Sequence, residues 1–382
     1  MFRDKTTFVV GAGASVEFGL PIGAGLATRI KKSSVLHIDN YRSKISYGDE
    51  FFMHTVKRIW PTDIDRKPVL EALSAIHNGI RTAVSIDAFV HRNNSHSYIP
   101  KLGKMLIALE ILKAERESTM LNEVTEQMRK RGAMEPDFSW LGQFVRIMLD
   151  GVTNVNEVGK NIKIICFNYD RCIEYYLRQS IVDAFRVSIE EAHAIVSRME
   201  IIHPYGWLGE LPLNNTSVGD RIAFGSSEEH ISLEEIAERN IRTYTEQFED
   251  AKMIQRIHRA MAHCSVLAFL GFGFNNQNLD LLRVKYIPEL PARNVYATGY
   301  NLSKVIDGTM KRRIRHLFVE DDEQWRREDW DAKIRVGYSQ TCSELFDTHT
   351  LDFTRYVQNQ IRCFDDVPRL EPVRSKDRSY DG

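Results

Sequence analysis

The feature that most constrains this chain is a set of short apolar runs, each about the length of a strand. Each stops at glycine or a polar turn, and stretches of helical composition separate them. Residues 7–10 are a β-branched run ending at Gly11. Residues 162–167 read Ile-Lys-Ile-Ile-Cys-Phe before the polar Asn168-Tyr169-Asp170, and residues 265–270 are the most hydrophobic run before Gly271. A shorter run at 200–203 is closed by Pro204 and Gly206, and further strands are expected at 295–298 and 317–319. Strands without a polar face are buried on both sides, and strands that alternate with helices pair in parallel because the crossovers cover both faces. The expected fold is α/β, a parallel sheet with helices on both faces.

The remaining sequence is mostly helical in character. In 105–131, Leu106, Leu109, Leu121, Val124 and Met128 recur at helical spacing before Gly132 supplies a stop, which predicts one helix there. Residues 36–159 as a whole read as a helical insertion, so the sheet domain is expected from 1–35 and 160–320. Helices are also expected at 171–185, within 207–260 after a loop, and at 303–315. Residues 321–382 read as a helical C-terminal extension with a charged tail from 365, in which Phe353, Tyr356, Val357 and Ile361 form one apolar helical face.

Composition narrows the function classes. The 382 residues suggest two or three structural units. Lys plus Arg number 51 against 52 for Asp plus Glu, so no global field draws a polyanion or an acidic membrane. The basic run Lys311-Arg312-Arg313-Ile314-Arg315 reads as a solvated helix face rather than a nucleic-acid site. Five cysteines without a CxxC pair argue against a disulfide framework and against zinc, and favour a reducing cytoplasm. Neither a signal-peptide core nor a membrane-spanning run is legible.

In open parallel sheets, ligands sit beyond the carboxyl ends of the strands, where the glycine and polar clusters of this chain fall. Gly11, Ala12, Gly13 and Ser15 form a turn that lets backbone amides approach a phosphate. Val16 stands where GxGxxG needs glycine and no GxxxxGK[ST] is present, which disfavours a dehydrogenase or a P-loop ATPase. Asn168 and Asp170 are either site residues or caps of the following helix. His203 is either catalytic or structural. Gly271-Phe272-Gly273-Phe274 is either a ligand wall or a turn whose aromatics enter the core.

The order of these clusters resembles the sirtuin family: Gly11-Ala12-Gly13-Ala14-Ser15 with Gly19-Leu20-Pro21, then Phe167-Asn168-Tyr169-Asp170, His203 before Gly206, Gly271-Phe272-Gly273-Phe274, and Asn294-Val295-Tyr296-Ala297. More closely, it is similar to the sirtuin-like NAD hydrolases of bacterial antiphage defence. The resemblance implies a Rossmann-like domain with NAD as substrate. It puts Gly11, Ala12, Gly13 and Ser15 on the pyrophosphate, Asn168 and Asp170 beside the nicotinamide ribose, and Pro21 and Tyr169 among the cofactor contacts. Gly271, Phe272 and Gly273 would flank the adenosine half, Asn294 would lie near the adenine, and His203 would be the catalytic base. Three departures stand out. Pro21 is followed by Ile22-Gly23-Ala24 rather than the family's Asp-Phe-Arg, His203 is separated from Gly206 by two residues so that Tyr205 competes for the base position, and the zinc cysteines are missing.

That absence disfavours a protein deacylase and makes water the expected acceptor. The resemblance thus implies an NAD glycohydrolase releasing nicotinamide and ADP-ribose, acting in abortive infection and gated by homo-oligomerisation or by a HerA-like ATPase partner. Nucleic acid would enter only through such a partner. The alternative is an NAD or ADP-ribose sensor that does not cleave its ligand.

Overall fold

The computed structural model describes residues 1–354 apart from 39–44, 84, 215, 218–220, 228–230, 243–245, 247–249, 285–293 and 319–329. Its strands are β1 (Thr6–Val10), β2 (His37–Ile38), β3 (Ile45–Tyr47), β4 (Ile162–Cys166), β5 (Ile201–Ile202), β6 (Val266–Leu270), β7 (Asn294–Gly299) and β8 (Ile334–Tyr338). Six of them form one sheet in the order β5-β4-β1-β6-β7-β8, and every neighbouring pair is parallel. β2 and β3 make a separate antiparallel ribbon. Counting only sheet strands in chain order, the arrangement is 3-2-1-4-5-6, the doubly wound Rossmann order, with its switch point between β1 and β6.

The helices in the first half are α1 (Gly23–Ser33), α2 (Glu50–Ile59), α3 (Asp63–Gly79), α4 (Ile86–Arg92), α5 (Ile99–Glu117), α6 (Glu126–Arg129) and α7 (Trp140–Leu149). The second half adds α8 (Cys172–Phe185), α9 (Ile189–Arg198), α10 (Leu233–Arg239), α11 (Ala251–Ala262), α12 (Asn276–Leu282), α13 (Asp307–Arg315), α14 (Trp330–Lys333) and α15 (Cys342–Phe353). Side chains alternate across the sheet, and each face has its own core. Phe8, Val10, Ile164, Cys166, Ala268 and Leu270 pack with α7, α8, α9 and α15. Val9, Ile165, Ile202, Leu267, Phe269 and Val295 pack with α1 to α5 and with α10 to α13. Helices from the 36–159 stretch therefore contribute to both layers of the sheet domain.

A buried carboxylate ties two of these helices to the first loop. Glu17, 3% exposed, accepts the Trp140 amide on Oε2 and the Ser343 amide on Oε1, both at 2.8 Å. These are backbone donors in the first turns of α7 and α15, where a negative charge is favoured. Burial raises Glu17 above its ordinary 4.5, against the lowering effect of those amides. Because the folded value lies above the unfolded one, the stability tied to its proton is complete below about pH 4.5 and falls as the pH rises through the folded value. Urea midpoints of wild type and Glu17→Gln at pH 4 and pH 7 check this. The wild type should lose stability relative to the variant across that interval.

Two expectations are corrected. The helix expected over 105–131 is broken: α5 ends at Ser118, which is extended with ψ 158°, and only the short α6 follows. The Ser118 hydroxyl turns back to the Glu115 carbonyl at 2.6 Å and the Asn122 side chain takes the Arg116 carbonyl at 2.7 Å, so the helix end is satisfied by side chains despite the continuing periodicity. Leu317 and Phe318 are not in a strand but plug the core in turns at the end of α13. The last strand is instead β8, whose Ile334, Val336 and Tyr338 alternate with Arg335 and Gly337. Of the apolar face expected in the C-terminal extension, Phe353 is fully buried at the end of α15, while Tyr356, Val357, Ile361 and the tail from 365 lie outside the described residues.

Candidate functional site

The loops after β1, β4 and β6 meet at the carboxyl edge of the sheet. The first leaves β1 at Gly11 and turns through a 3-10 segment, Ala12–Phe18, capped by Gly19 at φ 84°. Pro21 lies between that cap and α1. The glycines here are explained by one another. A Cβ on Gly11 would sit 2.7 Å from the Gly271 carbonyl, a Cβ on Gly13 2.8 Å from Gly271 Cα, and one on Gly271 (φ 56°) 2.0 Å from the Ala14 nitrogen. Gly11 donates its amide to Leu270 at 2.9 Å and Gly13 donates to Gly271 at 3.0 Å, so both amides are used in joining the two loops. Gly273 differs: a Cβ there would meet nothing within 4 Å. Phe272 and Phe274 turn inward against Phe269, with Phe272 also 5.2 Å from Phe167, which makes them part of the core.

The loop after β4 carries the polar centre. Asn168 is 5% exposed, and its Nδ2 donates to the Gly11 carbonyl at 3.1 Å and to Ser15 Oγ at 2.9 Å. Its Oδ1 is buried and has no partner among the described residues. The Ser15 hydroxyl passes the chain on by donating to Asp170 Oδ2 at 2.9 Å. Asp170 Oδ1 accepts the Cys172 amide at 3.2 Å at the start of α8, although the N-cap position itself is Arg171, which makes no side-chain cap. Burial raises the Asp170 carboxyl, opposed by the Ser15 and Cys172 hydrogen bonds. Asn168, Ser15 and Asp170 thus come together as one hydrogen-bonded unit, with a single amide oxygen left over.

His203 is placed differently. It touches Asn168 only through the backbone, with Nδ1 3.1 Å from the Asn168 carbonyl oxygen, while Nε2 lies 2.8 Å from Glu174 Oε1. Its ring stacks on Trp207 at 4.9 Å between centroids. Burial disfavours charge on this ring, but the adjacent Glu174 carboxylate outweighs it and holds the imidazole well above its ordinary 6.5. Both ring nitrogens face acceptors, so neither is free to take a proton from a ligand without giving up a contact.

Tyr205 lies on the other side of this turn. It is 4% exposed, its ring is 5.9 Å from Phe167 and 6.4 Å from Tyr169, and its hydroxyl donates to Asn278 Oδ1 at 2.9 Å. Tyr169 directs its hydroxyl to Asp87 on α4. Burial raises both groups, and Asp87 adds to the rise of Tyr169 while Tyr169 offsets part of that of Asp87. Tyr169→Phe leaves this carboxyl buried without its donor, so the unfolding free energy should drop by about 1–3 kcal/mol. Asp87→Asn should cost less, and urea denaturation of the two variants measures both.

Asn294 is not brought to this group. It opens β7 in register with Val266 and donates its amide to the Ser265 carbonyl at 3.1 Å, which is the amino end of the sheet. At about 3.3 Å per residue the strand length separates it from the loops at the opposite edge.

Two residues missed from sequence lie directly behind the site. Arg171, fully buried, donates from Nη2 to Glu115 Oε2 at 2.6 Å and from Nε to Oε1 at 3.1 Å, and its amide donates to the same Oε1 at 3.0 Å. The guanidinium also reaches the Ile222, Ala223 and Gly209 carbonyls. The available signal was a glutamate on the apolar side of α5, near Leu112 and Ala108. Among the described residues, no group of three or more His, Cys, Asp and Glu is placed to hold a metal ion, and no helix is long and apolar enough to cross a membrane.

The chain matches no family model, and no curated protein matches it.

Proposed function

We propose that the loops after β1, β4 and β6 bind NAD and that the protein cleaves it to nicotinamide and ADP-ribose. The observation that carries this reading is the buried Oδ1 of Asn168, unpartnered among the described residues, at the carboxyl end of β4 beside the glycine loop at the switch point of the sheet. A buried amide oxygen without a donor is costly and is accounted for when a ligand hydroxyl or a water supplies the hydrogen. The N-glycosidic bond breaks through a transition state with oxocarbenium character and a neutral leaving group, so holding the ribose and the attacking water matters more than a strong base. Asn168 takes that role, and Ser15 and Asp170 hold the amide in place. Gly273 leaves room for close approach of the ligand at the β6 loop. His203 is not assigned as the base, because both its nitrogens are engaged. The family resemblance supports a gated effector role in antiphage defence, with homo-oligomerisation or a HerA-like ATPase as the gate.

A second reading, an NAD or ADP-ribose sensor without cleavage, is favoured by that same engaged imidazole. Incubating the protein with NAD, alone and with a HerA-like ATPase, and assaying free nicotinamide separates the two. Release that is lost on Asn168→Ala supports the hydrolase. NAD binding without release supports the sensor, and no binding of NAD under either condition rejects both.

A further inference from the structure

A cleft on the far side of the His203 turn has the composition of a second ligand site. Gly206, at φ 76°, crosses directly over the chain at Asn240, where a Cβ would lie 1.7 Å from the Asn240 carbonyl oxygen. The crossing is held by Trp207 donating its amide to Asn240 at 3.3 Å and Arg242 donating to Tyr205 at 3.0 Å. It brings Arg239 and Arg242 to the carboxyl end of β5, and α11 adds Arg256 from the facing side. Ile201, Ile202 and Met253 supply an apolar floor, and the Trp207 indole forms one wall. Among the described residues lining the cleft, Asp250 is the single acidic one, against three arginines and the imidazole of His203. It engages Arg242 at 2.7 Å. Arg256 lies 3.9 Å from Glu200, whose carboxylate is also bound by Lys163 at 2.7 Å, and Arg239 makes no ion pair among the described residues.

We propose that this cleft binds a phosphorylated ligand with a flat ring, the nucleotide class, at a site separate from the Asn168 loops. Guanidinium groups match phosphate oxygens in pairs, and an indole beside an apolar floor offers a surface for a base. The site stands independently of NAD cleavage, since Asn168 does not line it.

Calorimetric titration of the full chain with AMP and with adenosine at low ionic strength tests this. AMP should bind at least tenfold more tightly than adenosine. The double variant Arg239→Ala/Arg256→Ala, which changes two exposed side chains, should weaken AMP on the order of tenfold or more. Trp207→Ala should weaken both ligands, and Asn168→Ala should leave AMP binding unchanged. Undiminished AMP binding in the double arginine variant overturns the proposal, as does a wild type that does not bind AMP. Loss of AMP binding on Asn168→Ala alone would assign the ligand to the other loops and overturn it equally. Failure of the nicotinamide assay would leave these results untouched.

Discussion

Arg171→Ala lowers the unfolding free energy by about 3–5 kcal/mol, the largest stability effect expected of a single substitution near the site. Arg171 and Glu115 both have no solvent exposure, so removing the guanidinium strands a carboxylate where water cannot reach it. Among the described residues, Glu115 would keep the Arg171 amide at 3.0 Å and the Gly225 amide at 3.4 Å. The Ile222 and Ala223 carbonyls would lose their donor as well, loosening the segment that closes over α5. Replacing both partners with apolar residues, Arg171→Met with Glu115→Leu, should recover much of the loss because no charge is left behind. Urea denaturation of the single and double variants measures both quantities. A single variant that loses less than about 1 kcal/mol would be behaving like an exposed ion pair and would contradict the buried one described.

Asn168→Ala should reduce nicotinamide release by on the order of 10²- to 10³-fold, as loss of one preorganised polar group at a reacting centre does. The variant also loses the two hydrogen bonds to Gly11 and Ser15, so some stability is lost with it. That part is modest, about 1 kcal/mol per bond, and a melting curve separates it from the loss of turnover. Ser15→Ala provides the comparison: it removes the link from Asn168 to Asp170 while leaving the amide in place, and should affect turnover less. Turnover that survives Asn168→Ala would remove the amide from the reaction, and the hydrolase reading with it.

Much of the architecture was readable before any coordinates. The runs that became β1, β4 and β6 are almost wholly buried, and a strand covered on both faces must be apolar throughout, so composition and burial coincide there. The clusters after them were readable for the same reason, since glycine and Asn-x-Asp stand out against apolar surroundings. β8 was missed because it is a short edge strand with a half-exposed face, in which Arg335 and Gly337 interrupt the apolar residues. The break in the 105–131 helix was hidden because Leu121 keeps the period while standing 41% exposed outside the core.

The sequence by itself determined the alternating elements, the parallel sheet and the loops at which polar groups gather, because these follow from local periodicity and from residue types that act over a few neighbours. Only the tertiary structure decided which way each polar side chain faces: that Gly11 and Gly13 fit against Gly271, that His203 turns to Glu174, that Asn294 belongs to the other end of the sheet, and that Glu115 on α5 meets Arg171. Those outcomes depend on hydrogen-bond partners 29 to 259 residues apart, and no local pattern specifies such a partner. The requirement that each buried donor and acceptor find a counterpart selects it only once the chain is packed.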